Sequence, residues 1–183
     1  MEKILYDGLL KYDSCKYPEG MYENLLTPKR ITQQWIRKAL LWKYGKVEGK
    51  NIPKNQRRTI DWFISNRRNI SICKKINRPE LCPYLLKPRT NYYTSPIFLA
   101  HLLYPNYWAI IDRHNIRFAN YFLNAQGPRL RINWHSSTTM MFFLQCCANK
   151  HKGTVRQMDK IFMVLGKNLK RSNGRQLKQK IKF

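Results

Sequence analysis

An all-α fold is the expectation for this chain of 183 residues, and three observations carry it. Apolar residues recur at helical spacing in several segments. Those segments open on Ser, Thr, Asp or Pro and close on Gly or Pro. No segment sustains a convincing alternation of apolar with polar at a period of two.

The first long helix is expected over 28–44. Thr27-Pro28 offers an N-cap and a proline in the first turn, Ile31, Trp35, Ile36, Ala39 and Leu40 follow at helical spacing, and Gly45 closes the segment. After "VEGKNIP", Pro53 opens a second helix over 54–65, with Ile60, Phe63 and Ile64 at i, i+3 and i+4 and Arg57, Arg58, Arg67 and Arg68 on or near it. Residues 71–93, "SICKKINRPELCPYLLKPRTNYY", hold three prolines without a sustained period and read as an irregular connector.

Ser95-Pro96 starts a short apolar helix over 96–104, which Pro105 stops because proline lacks the amide donor and clashes with the preceding turn. "NYWAII" then reads as an extended or turning approach to Asp112, the N-cap expected for a helix over 113–124 that ends near Gly127-Pro128. Two more helices follow, over 138–150 and 155–165. The second has Thr154 and Gln157 in capping-box positions and Gly166 as its C-cap. The last seventeen residues carry seven Lys or Arg and no acid, the composition of a basic tail that is solvated, lies along phosphates or serves in targeting.

With 43% hydrophobic and 13% aromatic residues the chain is too apolar for a disordered basic tail and is long enough for one sizeable core. The expected organisation is a single helical domain over 1–170 followed by a basic tail, 171–183. Against 35 Lys and Arg stand 10 Asp and Glu, a formal charge of +25 that opposes compaction and is most simply explained by a polyanionic partner. DNA is the leading partner, RNA the alternative. No run reaches the ~18 apolar residues of a membrane span, and the N-terminus is too acidic for a signal peptide. The expected location is inside the cell, in a nucleus or a prokaryotic cytoplasm, and the expected state is a monomer without a membrane role. Cys15, Cys73, Cys82, Cys146 and Cys147 include no C-x-x-C pair, and the four histidines are scattered, so reduced thiols are expected and no metal or other cofactor.

One residue stands out in this field of cations. Half of the acids lie in the first 23 residues, and Asp112 is the only acid between Glu80 and Asp159. Locally it has a structural role open to it, since an aspartate at a helix N-cap accepts an amide N–H and complements the dipole.

The order of elements around it adds a second role. An apolar helix, a proline-ended turn, the approach "AII", then Asp112 and a basic helix resemble the core of the helix-hairpin-helix DNA glycosylases, the endonuclease III superfamily, in which "IIDRHNIRF" matches the D-x-H aspartate motif. "ALLWKYGK" (39–46) and "MDKIFMVLGKNLK" (158–170) are similar to "LxWKxGK" and "DxxLxxxGKxLK" segments of divergent members, so the likeness spans about residues 27–170. The resemblance implies a glycosylase-like helical domain and makes Asp112 the catalytic carboxylate. Two departures accompany it. The Gly-rich hairpin that holds a DNA phosphate is replaced by "RTNYYTSPIFLA", which has no glycine. Where lyase-competent members place a lysine, this chain has Tyr93-Thr94-Ser95, so no Schiff-base step is expected.

The chemistry implied is hydrolysis of an N-glycosidic bond, with Asp112 stabilising oxocarbenium character on the sugar and orienting or deprotonating water. A target base must leave the stack. Tyr92, Tyr93, Tyr104, Tyr107 and Trp108 are the candidates to line its pocket, against the alternative that they are core or surface aromatics. Arg113, His114, Arg117, Arg129, Arg131, Lys43, Lys46, Arg67 and Arg68 are the candidate nucleic-acid contacts. A non-catalytic DNA- or RNA-binding protein on the same scaffold is the competing reading. An open environment for Asp112 favours the enzyme, and a carboxylate consumed by capping favours the binder.

Overall fold

The structure, a computed structural model, describes residues 10–12, 16–87, 92–123 and 129–171. Its helices gather in two compact units, one of residues 13–108 and one of residues 1–12 with 109–183. Among the described residues there is no strand, in keeping with the all-α expectation.

The unit of residues 13–108 contains α1 (Glu19–Glu23), α2 (Gln33–Lys43), α3 (Lys54–Ser65), α4 (Arg67–Ile76), a 3-10 turn (Pro79–Leu81), α5 (Cys82–Leu85) and α6 (Thr94–Leu103). Every residue of α6 from Ser95 to Leu103 is buried, as befits a helix that is apolar on all sides. On it Phe98 stacks with Trp42 of α2 at 5.6 Å, and Trp42 in turn meets Tyr22 at 5.2 Å. His101 is held in this core by two bonds. Its Nδ1 lies 2.5 Å from the Trp108 carbonyl, which only accepts, so Nδ1 carries the proton and Nε2 accepts from the Tyr22 hydroxyl at 2.6 Å.

Helix α2 starts later than its sequence signals imply. Its cap is Thr32, whose Oγ1 accepts from Trp35 N at 3.0 Å. Thr27 instead lies in the left-handed region (φ 43°) and donates its amide to the Leu102 carbonyl at 2.8 Å, tying the chain to the end of α6. The C-terminus is as expected. Gly45 (φ 62°) supplies the left-handed turn, with Gly45 N bonded to Trp42 O and Lys46 N to Leu41 O, a Schellman closure.

The connector expected over 71–93 is a correction. Helix α4 occupies its first part, ended by left-handed Asn77 (φ 51°), and Pro79 and Pro83 sit in the first turns of the 3-10 turn and α5, where a missing N–H costs nothing. Only Ile70 and Cys73 of α4 are buried, too few apolar positions to register as a period.

The other unit is built from α7 (Arg113–Phe122), α8 (Trp134–Lys150) and α9 (Val155–Arg171). Helix α9 packs on both others, with Phe162 edge-on to Phe118 at 4.7 Å and to Phe143 at 5.4 Å. The capping box at its start is formed: Thr154 N donates to Gln157 Oε1 at 2.7 Å and Gln157 N to Thr154 Oγ1 at 3.1 Å. Helix α8 begins at Trp134, earlier than expected, because Asn133 caps it through Ser136 N at 2.8 Å.

Gly166 does not end α9. The helix runs on to Arg171, and Gly166 marks a close approach instead: a Cβ there would lie 2.0 Å from the carbonyl oxygen of His114 at the start of α7. Residues 166–171, beyond the expected helix end at 165, therefore belong to α9, while 172–183 and the Gly127-Pro128 turn lie outside the described residues. Among the described residues no helix is long and apolar enough to cross a membrane, and no group of His, Cys, Asp and Glu is arranged to hold a metal ion.

Candidate nucleic-acid interface

Asp112 is positioned by a buried approach. Ala109 and Ile111 are in the core, and the Ser137 hydroxyl reaches the Ala109 carbonyl at 3.4 Å. The half-buried carboxylate then caps α7, with Oδ1 accepting from His114 N at 2.6 Å and from Asn115 N at 2.8 Å. Both bonds fall on one oxygen. Among the described residues no hydrogen bond engages Oδ2.

Beside it, His114 is half-buried between two guanidinium groups, with Arg113 Nε 3.4 Å from Nε2 and Arg117 Nη1 3.2 Å from Nδ1. Burial pushes its pKa below the ordinary value, and Arg113, Arg117 and Lys167 push the same way against the pull of Asp112. His114 is therefore neutral at pH 7. It can act as a hydrogen-bonding group without the charge of a cation. Arg117 is engaged within the unit as well: Nη1 donates to the Gly166 carbonyl at 2.7 Å. Arg113, Arg129 and Arg131 are exposed.

Beneath the first turn of α7 lies a carboxyl that the sequence reading did not single out. Asp159 is 6% exposed, bonded through Oδ2 to Arg156 Nη1 and through Oδ1 to Asn115 Nδ2 at 2.5 Å. Arg156 reaches on to the Tyr12 hydroxyl at 2.9 Å. Burial raises the Asp159 pKa to about 6, Arg156 pulls it down, and the charge of Asp112 pushes it up. Asn115 joins the two acids, with its amide on Asp112 and its side chain on Asp159. In the sequence this acid appears as the first position of the "DxxLxxxGKxLK" pattern and in the i, i+3 pair Arg156 and Asp159.

In the unit of residues 13–108 exposed cations are spread over several elements, among them Lys29 and Arg30 ahead of α2, Arg37 and Lys38 on it, Lys54, Arg57 and Arg58 on α3, and Arg67, Arg68 and Lys75 on α4. Neither α3 nor α4 has an acid in its first turn, and α4 opens on Arg67-Arg68. A cation in a first turn opposes the helix dipole by about 0.3–1 kcal/mol, so helix stability does not account for the placement, whereas an anion approaching there would meet both the dipole and the charge. Lys43 is half-buried with its ammonium 5.3 Å from the centre of the Phe98 ring, and Lys46 is half-buried.

The five aromatic candidates divide. Tyr104 and Tyr107 line a cleft of about 540 Å³ with Thr27, Lys74, Asn77, Leu103, Pro105 and Asn106. Tyr104 is fixed there by its hydroxyl on the Cys73 carbonyl at 2.7 Å, and Lys74 Nζ is held on the Lys29 carbonyl at 2.7 Å. Tyr107 is 39% exposed. Trp108 is in the core at 3% exposure, with its indole N–H on the Pro79 carbonyl at 3.2 Å, so it has no face to offer a base. Tyr92 is exposed, Tyr93 is the half-buried N-cap residue of α6, and neither lines this cleft. Thr27, Lys74 and Asn77 escaped the sequence reading because two owe their place to left-handed backbone, which only the folded chain reveals.

No protein-family model, curated protein or solved structure matches the chain, so the residues themselves carry its functional reading.

Proposed function

We propose that the protein binds DNA and hydrolyses the N-glycosidic bond of a damaged, mispaired or modified base, with Asp112 as the catalytic carboxylate. The observation that supports this best is the division of labour on Asp112: Oδ1 takes both capping bonds, while Oδ2 has no hydrogen-bond partner among the described residues. The cap fixes the carboxylate without using up its second oxygen. In a reaction, that oxygen faces the sugar, stabilises positive charge developing at C1′ and orients or accepts a proton from water.

The charge supports the binding half of the proposal. Exposed Arg113 adjoins Asp112, and the basic faces of α3 and α4 suit phosphate oxygens. Exposed Tyr107 suits stacking with an unpaired base, a contact worth roughly 1–3 kcal/mol where it occurs.

The test is base release. Oligonucleotides bearing uracil, oxidised, alkylated or mismatched bases are incubated with the protein and treated with alkali to reveal abasic sites. The expected result is cleavage of at least one substrate, its loss in Asp112→Asn, and no borohydride-trapped adduct, because Tyr93-Thr94-Ser95 supplies no lysine. Full activity in Asp112→Asn would remove Asp112 from the mechanism.

A second reading rests on the same oxygen count seen from the other side. Two amides on Asp112 Oδ1 are sufficient reason for an aspartate at this N-cap, and Trp108 is withdrawn into the core. These favour a non-catalytic DNA- or RNA-binding protein. Salt-sensitive binding with no base release from any substrate would select it.

A further inference from the structure

Cys73 and Cys82 form a pair that the proposed function leaves unused. Cys73 lies in the last turn of α4 and Cys82 opens α5, the two thiols are 0% exposed, and their sulfurs are 3.1 Å apart. The left-handed turn at Asn77 and the 3-10 turn that follows fold the chain back so that the two side chains meet. We propose that Cys73 and Cys82 are a dithiol that oxidises reversibly to an internal disulfide, with a low-molecular-weight disulfide such as oxidised glutathione as the oxidant.

The geometry favours closure. A disulfide needs an S–S separation of about 2.0 Å, so the sulfurs have about 1 Å to travel, which side-chain rotation and a small backbone adjustment supply. The chemistry is asymmetric in a useful way. The contact with Cys82 holds the Cys73 thiol below its ordinary pKa, while the same contact and burial push Cys82 up, so Cys73 supplies the thiolate. The Cys73 thiolate attacks one sulfur of oxidised glutathione, breaking its S–S bond and releasing one glutathione thiolate. Cys82 then loses its proton, its sulfur attacks the mixed disulfide at Cys73, and the second glutathione leaves. Two thiols have given up two electrons and two protons, and one glutathione disulfide has become two glutathiones.

The bond would lie directly behind the aromatic cleft. The Cys73 carbonyl accepts the Tyr104 hydroxyl, and the next residue, Lys74, lines the cleft wall. Oxidation therefore clamps the end of α4 to the turn that carries Cys82, at the point where α4 supports that wall. The inference does not depend on a nucleic-acid role for the cleft.

Because both thiols are buried, the test is run so that access is not limiting. The full chain is unfolded in urea and refolded in a buffer of oxidised and reduced glutathione. Free thiols are then blocked with iodoacetamide, and the digest is examined by mass spectrometry. The expected product is a peptide pair linked Cys73 to Cys82, at least about tenfold more abundant after refolding than in the same buffer with urea retained, because folding raises the effective concentration of one thiol at the other. A Cys146→Ser, Cys147→Ser variant should give the same link. Recovery of Cys73 and Cys82 in the alkylated form after refolding, or a link no more abundant than in urea, would overturn the proposal.

Discussion

Asp159→Asn should flatten the dependence of stability on pH between about 4 and 6. The carboxyl has its pKa raised from 3.8 to about 6 by burial, so between these values the native state holds a proton that the unfolded chain has lost. A group raised in this way contributes stability that is fully present below about pH 4 and is lost as pH rises through about 6. At 1.36 kcal/mol for each unit, the swing amounts to about 3 kcal/mol. Asparagine keeps the size of the side chain and an acceptor for Asn115 but does not titrate, so the variant lacks the swing. The attraction of Arg156 for the carboxylate titrates with Asp159 and is already contained in its pKa of about 6, so it adds no separate pH dependence. The assay is urea unfolding of both proteins at intervals from pH 4 to 7, read as the difference between their unfolding free energies. A pH-independent difference would refute the placement of Asp159 as a buried, raised carboxyl. A difference that grew in the opposite sense would mean that Arg156 outweighs burial.

Three further outcomes follow from the same geometry. Gly166→Ala should cost about 2 kcal/mol or more in thermal or urea unfolding, because the new methyl would lie 2.0 Å from the His114 carbonyl and α7 must move off α9 to admit it. In an NMR titration of carboxyl carbons, Asp112→Asn should lower the Asp159 pKa, since the Asp112 charge is one of the groups raising it; an unchanged value would show that the two acids do not sense each other. Binding to duplex DNA should fall roughly a thousandfold between about 50 and 200 mM salt if about six phosphates are neutralised, and a flat profile would count against every nucleic-acid reading.

The parts of the fold that were legible in the sequence are those set by local energies. Pro53 before α3, Gly45 after α2, the Thr154 and Gln157 box and the Asp112 cap all concern residues within a turn of one another, where amides seek partners whatever the tertiary structure. What was not legible depends on approach. Gly166 reads locally as a helix stop but serves a carbonyl of another helix. Arg117 reads as a surface cation but is half-buried and bonded to the carbonyl of that same glycine. Trp108 reads as a ring near the candidate acid but is folded into the core. Helix α4 was missed because it buries only Ile70 and Cys73, and two apolar positions leave little period to read. The Asp112 motif was found because it is a run of sequence neighbours. Asp159 joins it only through Asn115, 44 positions away, so no local pattern announces the pair.

A lone acid in a chain of net charge +25 invites explanation by the nearest cation, yet Asp112 is held by amides. That distinction separates its two candidate roles experimentally. Asparagine and aspartate are nearly equal as N-caps, so Asp112→Asn keeps an acceptor for His114 N and Asn115 N and gives up only the interaction of the charge with the helix dipole, about 0.3–1 kcal/mol. Asp112→Ala gives up the acceptor as well and should cost about 1 kcal/mol more than Asn at the same site. If the acid is catalytic, the two variants differ in stability but are equally dead in base release, because neither presents a carboxylate to the sugar. If the acid is only a cap, Ala, which also loses the helix cap, should bind nucleic acid more weakly than Asn, and Asn should bind at least as well as the native chain once one negative charge has left a basic surface. Urea unfolding and salt-matched binding of the three proteins give both comparisons. Equal stability of the Asn and Ala variants would show that the Oδ1 bonds do not support α7, and the structural account of Asp112 would fall before the chemical one was reached.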